Sequence, residues 1–399
     1  MFSRRVPHRL TLNRLATRVA EVRRRGAPFL DLTITNPTAV EIPYPAGVLD
    51  ALATPAALTY TPHAFGAAEA RQAVASDYQR RGVDLPVDRL VLTASTSEAY
   101  AVLFKLLCDP ADEVLIPRPS YPLFEHLTRL EAVTAVSYPL VYAGSWHIDR
   151  ASLEQRLTPR ARALVVVSPN NPTGSLLSRD EAEWLIDVCR PRGLALILDE
   201  VFADYVFQEP ADDGSSALLS QTEVLVFGLG GLSKTVGLPQ VKLAWLGAAG
   251  PSRLVEQALA RLEVICDTYL SVGTPVQCAA GQLLAEGAAV RREIRGRVLR
   301  NLEILHARVA ESPACSVLPV HGGWSAVVRV PAIRSEETLV LELLEEQHLL
   351  VHPGFFYDFA HEAFLVISLL LRERLFEEGC VRLFRALDAR RDRVPLETW

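Results

Sequence analysis

Lysine is nearly missing from this chain of 399 residues: Lys105, Lys234 and Lys242 stand against 38 arginines. Arginine stays protonated in proteins, whereas lysine can lose its proton and act as an amine nucleophile. Each surviving lysine is therefore a candidate for chemistry that arginine cannot do. Long apolar runs are missing too. The longest, at about 363–371, falls well short of the roughly 20 residues of a membrane helix, so no membrane partner is expected. A strong charge of either sign is absent. The net charge is −6 with both signs dispersed, which argues against nucleic acid as a partner. The six cysteines (Cys108, Cys189, Cys266, Cys278, Cys315, Cys380) show no CxxC or Cys/His spacing. They read as small buried hydrophobes in a reducing cytosol, without structural zinc or another metal. The first ten residues hold three arginines and no apolar stretch, unlike a secretory signal. An arginine-rich, acid-poor start also suits a transit peptide, a reading that carries little weight because arginine is abundant everywhere in this chain. A cytoplasmic protein is expected.

What is present suits a large folded enzyme. Apolar residues make up 49 %, enough for a sizeable core and incompatible with disorder. The length implies two or three domains. Residues 11–25 place Leu12, Leu15, Val19 and Val22 at helical spacing with arginines between, which predicts a surface helix. From about residue 90, short apolar β-rich runs (89–92, 113–116, 163–167, 194–198, 223–227) alternate with helical stretches such as 98–107 and 180–189. Such uniformly apolar strands are buried on both faces, so the fold class is α/β with a mostly parallel sheet between helices. After about residue 275 the rhythm changes. A long helical stretch, 277–309, leads into 316–331, 338–347 and 349–351, with a last amphipathic segment at 375–387. This predicts a smaller α+β domain, joined by the N-terminal segment.

Ligands of open parallel sheets bind beyond the carboxyl ends of the strands. Four segments put unusual polar residues there. Thr93-Ala94-Ser95-Thr96-Ser97-Glu98 follows a strand and opens a helix, and Ser95 with Glu98 has capping-box spacing. Free N–H groups and three hydroxyls there suit a phosphate, although an ordinary N-cap reads the same way. Ser168-Pro169-Asn170-Asn171-Pro172-Thr173-Gly174 is a turn after an apolar strand. Asp199-Glu200 ends another buried strand, where an acidic pair needs partners or serves as a helix cap. Residues 226–242 form a glycine-rich loop carrying Lys234 and Lys242. The residue before Lys234 is Ser233, so GxxxxGK[ST] is not satisfied and a Walker loop is disfavoured.

Together these residues resemble the fold-type I pyridoxal-phosphate enzymes, specifically the class I/II aminotransferases. The likeness covers nearly the whole chain: "DLTITNPT", "YTPHAFG", Pro119-Ser120-Tyr121-Pro122, "SPNNPTG", "LDEVFADY", "GLSKTVGLPQVKLAWL", "YLSVGTPVQCAA", "HGGW" and "VHPGFF". About 30 residues separate Asn171, Asp199 and Lys234 in turn. The resemblance implies a large cofactor-binding domain at 46–275 and a small C-terminal domain at 276–399, with 1–45 packing on the latter. It implies a transaminase that moves an amino group from an amine donor to a 2-oxo acid acceptor, with pyridoxal 5'-phosphate held as a Schiff base on Lys234. Freed from the cofactor, the Lys234 amine would shuttle a proton at the substrate Cα. Asp199 would keep the pyridine nitrogen protonated. Asn171 would reach the ring's 3-oxygen, Tyr121 would stack on its face, and Ser95, Thr96, Ser97, Ser233 and Lys242 would surround the phosphate. Tyr60 would reach the phosphate of a second subunit, which implies a homodimer. Asn36, Asn171, Trp324 and position 366 would face the substrate, and Tyr269 is a further candidate for the pocket wall.

Four departures bear on this expectation. Phe202 stands where the family has a tyrosine that donates to the 3-oxygen, which should raise the pKa of the cofactor–lysine linkage. Lys242 replaces an arginine, leaving a point charge instead of a fork, and Gly231 replaces a frequent serine. Gln240 replaces a glycine for no physical reason we can identify. In "FLVIS", Val366 occupies the place of the arginine that grips the substrate α-carboxylate. Arg372 and Arg374 follow closely, but the family turns that region away from the site. Alternatives on the same scaffold are β-elimination, decarboxylation or oxidation, since the fold does not fix the reaction. A regulator that senses the cofactor would carry a DNA-binding domain, and only about 30 residues precede "DLTITNPT".

Overall fold

Leu164, Val165, Leu196, Ile197 and Leu198 have no exposed surface, so the strands that carry them run through the middle of a sheet. The computed structural model describes residues 1–8, 10–208 and 213–391. Its main sheet has eight strands in the order Leu90–Thr93, Ala244–Ala249, Val226–Gly231, Ala195–Asp199, Ala161–Val167, Glu113–Arg118, Thr134–Tyr142 and Trp146–Ile148. The run from Val226–Gly231 to Thr134–Tyr142 is parallel. Ala244–Ala249 is antiparallel to both its neighbours, and Trp146–Ile148 folds back as a hairpin.

The two-residue period of a strand sorts its side chains onto opposite faces. Leu164, Val166, Leu196 and Leu198 enter one core with Val74 and Tyr78 of helix Ala68–Arg80, Leu185 of Arg179–Cys189 and Leu283 of Thr274–Val309. Ala163, Val165, Ala195 and Ile197 enter another with Leu103 of Thr96–Leu107 and Leu262 of Ser252–Tyr269. Helices therefore cover both faces.

A separate core forms around a four-stranded sheet, Ser316–Val317, Ser325–Arg329, Phe364–Ser368 and His352–Pro353. It takes Leu343 from helix Glu336–Glu346 and Phe376 and Leu383 from Glu373–Arg391. The N-terminal segment adds Leu15, Leu32, Val40 and Ile42, and Leu30–Asp31 pairs in parallel with Leu349–Leu350. The 36-residue helix Thr274–Val309 serves both bodies. Val276 to Leu284 pack on the large sheet, while Val290, Ile294, Val298 and Leu305 pack in the second core.

The predicted helices and strands appear within a few residues of their expected bounds. Residues 392–399, included in the expected C-terminal domain, lie outside the described residues. Three strands of the main sheet and the helices Ala68–Arg80, Phe124–Leu130, Arg150–Arg156, Gly214–Ser220 and Ser252–Tyr269 were not among the predicted elements. Thr134–Tyr142 is only partly buried along its length, so it lacks the continuous apolar run that marks its neighbours. In Ala244–Ala249 ("AWLGAA") four of the six residues are alanine or glycine, which have low strand propensity. The unforeseen Trp146–Ile148 is a short partner of the first, and Ser252–Tyr269 a long amphipathic helix.

Candidate active site

Sheet register assembles the site. Thr93 pairs with Ala244 and Ala244 with Gly231. Leu229 pairs with Asp199, and Asp199 with Val167. The segments that follow Thr93, Gly231, Asp199 and Val167, and the one that precedes Ala244, thus leave one end of the sheet side by side. They carry Ser95–Ser97, Ser233–Lys234, Phe202, Asn170–Asn171 and Lys242.

Lys234 lies in a single helical turn, Leu232–Thr235, directly after the fully buried strand Val226–Gly231. That strand can be so close-packed because Gly230 has no Cβ: one would fall 2.5 Å from the Trp245 indole nitrogen. The Lys234 ammonium is 4.8 Å from the Trp324 ring centre and 5.7 Å from that of Phe202. Among the described residues its Nζ makes no hydrogen bond or ion pair. Burial pushes its pKa down to about 8, against a smaller pull from Asp199 that raises it. The backbone is held as well, since the Tyr205 hydroxyl donates to the Lys234 carbonyl at 2.7 Å. The other lysines differ. Lys105 pairs with Glu131 at 2.6 Å beside the Tyr269 ring. Lys242 is exposed and adopts a left-handed backbone, φ 56°.

The acidic pair separates by strand alternation. Asp199 faces the site, where Oδ2 accepts from the Tyr100 hydroxyl at 2.8 Å and Oδ1 from the Val201 N–H at 3.1 Å. Burial raises its pKa, and these donors with Lys234 oppose the rise. Glu200 points to the other face and meets Arg81 at 3.4 Å. That answers the cost of burying a carboxylate there and makes Glu200 structural.

Helix Thr96–Leu107 starts with Ser95 as N-cap, accepting from the Glu98 N–H at 3.1 Å. The expected capping box is altered: the Glu98 carboxylate accepts from the Ala94 N–H at 2.5 Å and from the Ser271 hydroxyl at 2.9 Å. Among the described residues the N–H groups and hydroxyls of Thr96 and Ser97 have no partner. An anion-binding helix start needs such free donors.

In the Asn-Pro turn, Asn170 is the scaffold. It donates to the Pro119 carbonyl at 3.1 Å and to Thr173 at 2.8 Å, and accepts from Ser120 at 3.2 Å. Asn171 is half-buried, with no side-chain hydrogen bond among the described residues. Tyr121 is 39 % exposed, its ring edge-on to Phe124. Trp324 is buried and meets Phe202 and Tyr205 edge-on at 5.3 and 5.0 Å. The Asn36 side-chain oxygen caps the turn Pro37–Ala39, accepting from Thr38.

Val366 is buried among Trp146, Leu318, Val327 and Tyr357, so its place is filled by hydrocarbon. Arg372 pairs with Glu41. Tyr60 and Tyr269 are 72 % and 57 % exposed. Sequence reasoning missed Tyr100 and Tyr205. Both sit in apolar helical or turn patterns, and their partners lie 99 and 29 residues away.

The sequence model for "Aminotransferase class I and II" matches residues 44–383. Alanine aminotransferase of Mycobacterium tuberculosis (strain H37Rv) is 30 % identical over 345 residues, 84 % of this chain and 80 % of that one. Glutamate-pyruvate aminotransferase AlaA of Escherichia coli (strain K12) is 27 % identical, with 82 % and 83 % covered. The solved structure of alanine aminotransferase from Pyrococcus furiosus superposes with a TM-score of 0.88 at 22 % identity, covering 98 % of this chain and all of that one. The chain belongs to the class I and II aminotransferase family and is a transaminase.

Proposed function

We propose that this transaminase works with pyridoxal 5'-phosphate carried covalently on Lys234, and moves an amino group from an amino acid or amine to a 2-oxo acid. The observation that carries the reading is a buried Lys234 amine that, among the described residues, makes no hydrogen bond or ion pair and lies 4.8 Å from the Trp324 ring, its pKa lowered by burial to about 8 in the field of the buried Asp199 carboxylate. The donor set fits that cofactor. An amine suits an aldehyde, a buried carboxylate suits a pyridine N–H, and the open N–H and hydroxyl groups of Thr96 and Ser97 suit a phosphate dianion. When bound, the cofactor supplies an electron sink for the bonding pair at the substrate Cα.

The chain's own groups do the rest. Asp199 holds the ring-nitrogen proton. Ser95, Thr96, Ser97, Ser233 and Lys242 hold the phosphate, Tyr121 covers a ring face, and Asn171 donates to the 3-oxygen. Phe202 brings no hydroxyl there. Once free, Lys234 Nζ takes and returns the Cα proton; a lysine with a pKa of about 8 is suited to both. Trp324 and Asn36 border the substrate. Likeness to the alanine and glutamate-pyruvate enzymes makes alanine, glutamate and pyruvate the first substrates to try. With valine at 366, the α-carboxylate loses the usual bidentate grip, so donors with and without that carboxylate belong in one screen.

Tyr60 reaches a second copy's phosphate site in a homodimer. The exposed apolar side chains of Leu58, Tyr60, Val264 and Tyr269 support this, since they need a cover. Among the described residues no helix is long and apolar enough to cross a membrane, and all six cysteines are free, which supports a reducing, cytoplasmic setting. The test is borohydride reduction of the yellow protein followed by peptide mapping. The cofactor label is expected on the peptide bearing Lys234; a label elsewhere, or none, ends the proposal.

A further inference from the structure

Asp199 is clamped from a direction the strand does not supply. Tyr100 comes from helix Thr96–Leu107, the helix whose start is assigned to the phosphate. Its hydroxyl meets Asp199 Oδ2 at 2.8 Å with both side chains buried. The Tyr100 ring is fixed edge-on against Phe124 at 5.2 Å and tilted against Phe104 at 5.9 Å, so the donor does not wander. With Oδ1 taken by the Val201 N–H, each carboxylate oxygen holds one protein donor and keeps one lone pair for a ligand.

We infer that Tyr100 is a positioning residue that keeps Asp199 ionised and aimed, and thereby sets how firmly the cofactor's ring nitrogen holds its proton. The inference rests on Asp199 being the partner of that nitrogen. One proton is shared between carboxylate and ring. Burial favours the neutral carboxyl, whereas a hydrogen bond to the anion favours the carboxylate. Removing the Tyr100 hydroxyl therefore shifts the proton from the ring nitrogen to Asp199. The other groups facing Asp199 are Tyr121, from the turn before helix Phe124–Leu130, and Lys234. Tyr100→Phe alters neither.

The experiment is ¹⁵N NMR of holoenzyme loaded with ring-¹⁵N pyridoxal phosphate, followed through a pH titration. In Tyr100→Phe, the ratio of protonated to unprotonated ring nitrogen on the pH plateau where the pair shares one proton should fall roughly tenfold or more, the change that a charge-assisted hydrogen bond is worth. Replacement of Tyr100 by 3-fluorotyrosine, a stronger donor of nearly the same shape, should raise it. A purely structural role for Tyr100 would move neither value in this ordered way. The inference is overturned if both variants titrate like the parent while Asp199→Asn shifts the signal. If Asp199→Asn leaves it unmoved too, the assignment of Asp199 falls and takes this inference with it. Should the phenylalanine variant fail to fold, the fluorotyrosine arm alone decides: a raised value supports the inference and an unchanged one overturns it.

Discussion

A chain with three lysines lets its amine chemistry be followed one residue at a time. In the cofactor-free protein, lysine labelled with ¹³C should give a side-chain resonance that titrates near pH 8, and Lys234→Arg should abolish it. The cause is burial, which disfavours the ammonium. The sign carries over to stability. Between about 8 and the ordinary value of 10.5 the unfolded chain binds the proton that the folded chain has released. The Lys234 contribution to apoprotein stability therefore rises with pH across that window, and its penalty is fully present below it. Phe202 makes a second residue-scale case. Its ring lies 5.7 Å from the Lys234 ammonium and offers no donor. Phe202→Tyr should shift the spectral titration of the bound cofactor to lower pH; an unmoved midpoint would show that position 202 does not face the 3-oxygen. Lys234 could be picked out because lysine is nearly absent from the chain, and Asp199 because an acidic residue ends a buried apolar strand. Tyr100 was not, because helical periodicity reports that a side chain is buried and says nothing of a carboxylate 99 residues away.

At the scale of elements, the middle of helix Thr274–Val309 is tied to the lysine turn. Gly287 is buried there, and a Cβ on it would come within 2.1 Å of Val236, two residues past Lys234. Gly→Ala inside a helix ordinarily stabilises by about 1 kcal/mol. Here overpacking should reverse the sign, destabilising by roughly 1–3 kcal/mol and weakening cofactor retention. Chemical denaturation checks the first effect. The double variant Gly287→Ala with Val236→Ala should recover much of the loss if the contact is the cause. The apolar strands of the sheet centre were readable because burial on both faces writes itself as an unbroken apolar run. Ala244–Ala249 was hidden by the same closeness of packing that demands its small residues: a Cβ on Gly247 would fall 2.2 Å from Leu85.

For the whole molecule, the fold class followed from alternation of strands and helices, but strand order did not, since apolar runs do not say which neighbours they pair with. Assembly is the property that most needs testing at this scale. A dimer should appear in solution at twice the mass of the chain. Mixing Lys234→Ala subunits with Tyr60→Ala subunits should restore activity above that of either variant alone, because one of the two sites in a mixed dimer then has both parts intact. No gain on mixing, with exchange of subunits verified, would mean that Tyr60 serves its own chain or none.

Helix Thr274–Val309 gives half its length to each core. At about 1.5 Å per residue it is a strut of roughly 54 Å. Neither body can come apart without stripping the other of part of its wall, so heat or denaturant meets a single structure to dismantle. Any rocking of one body over the other must also pivot on this strut, beside the turn that carries Lys234.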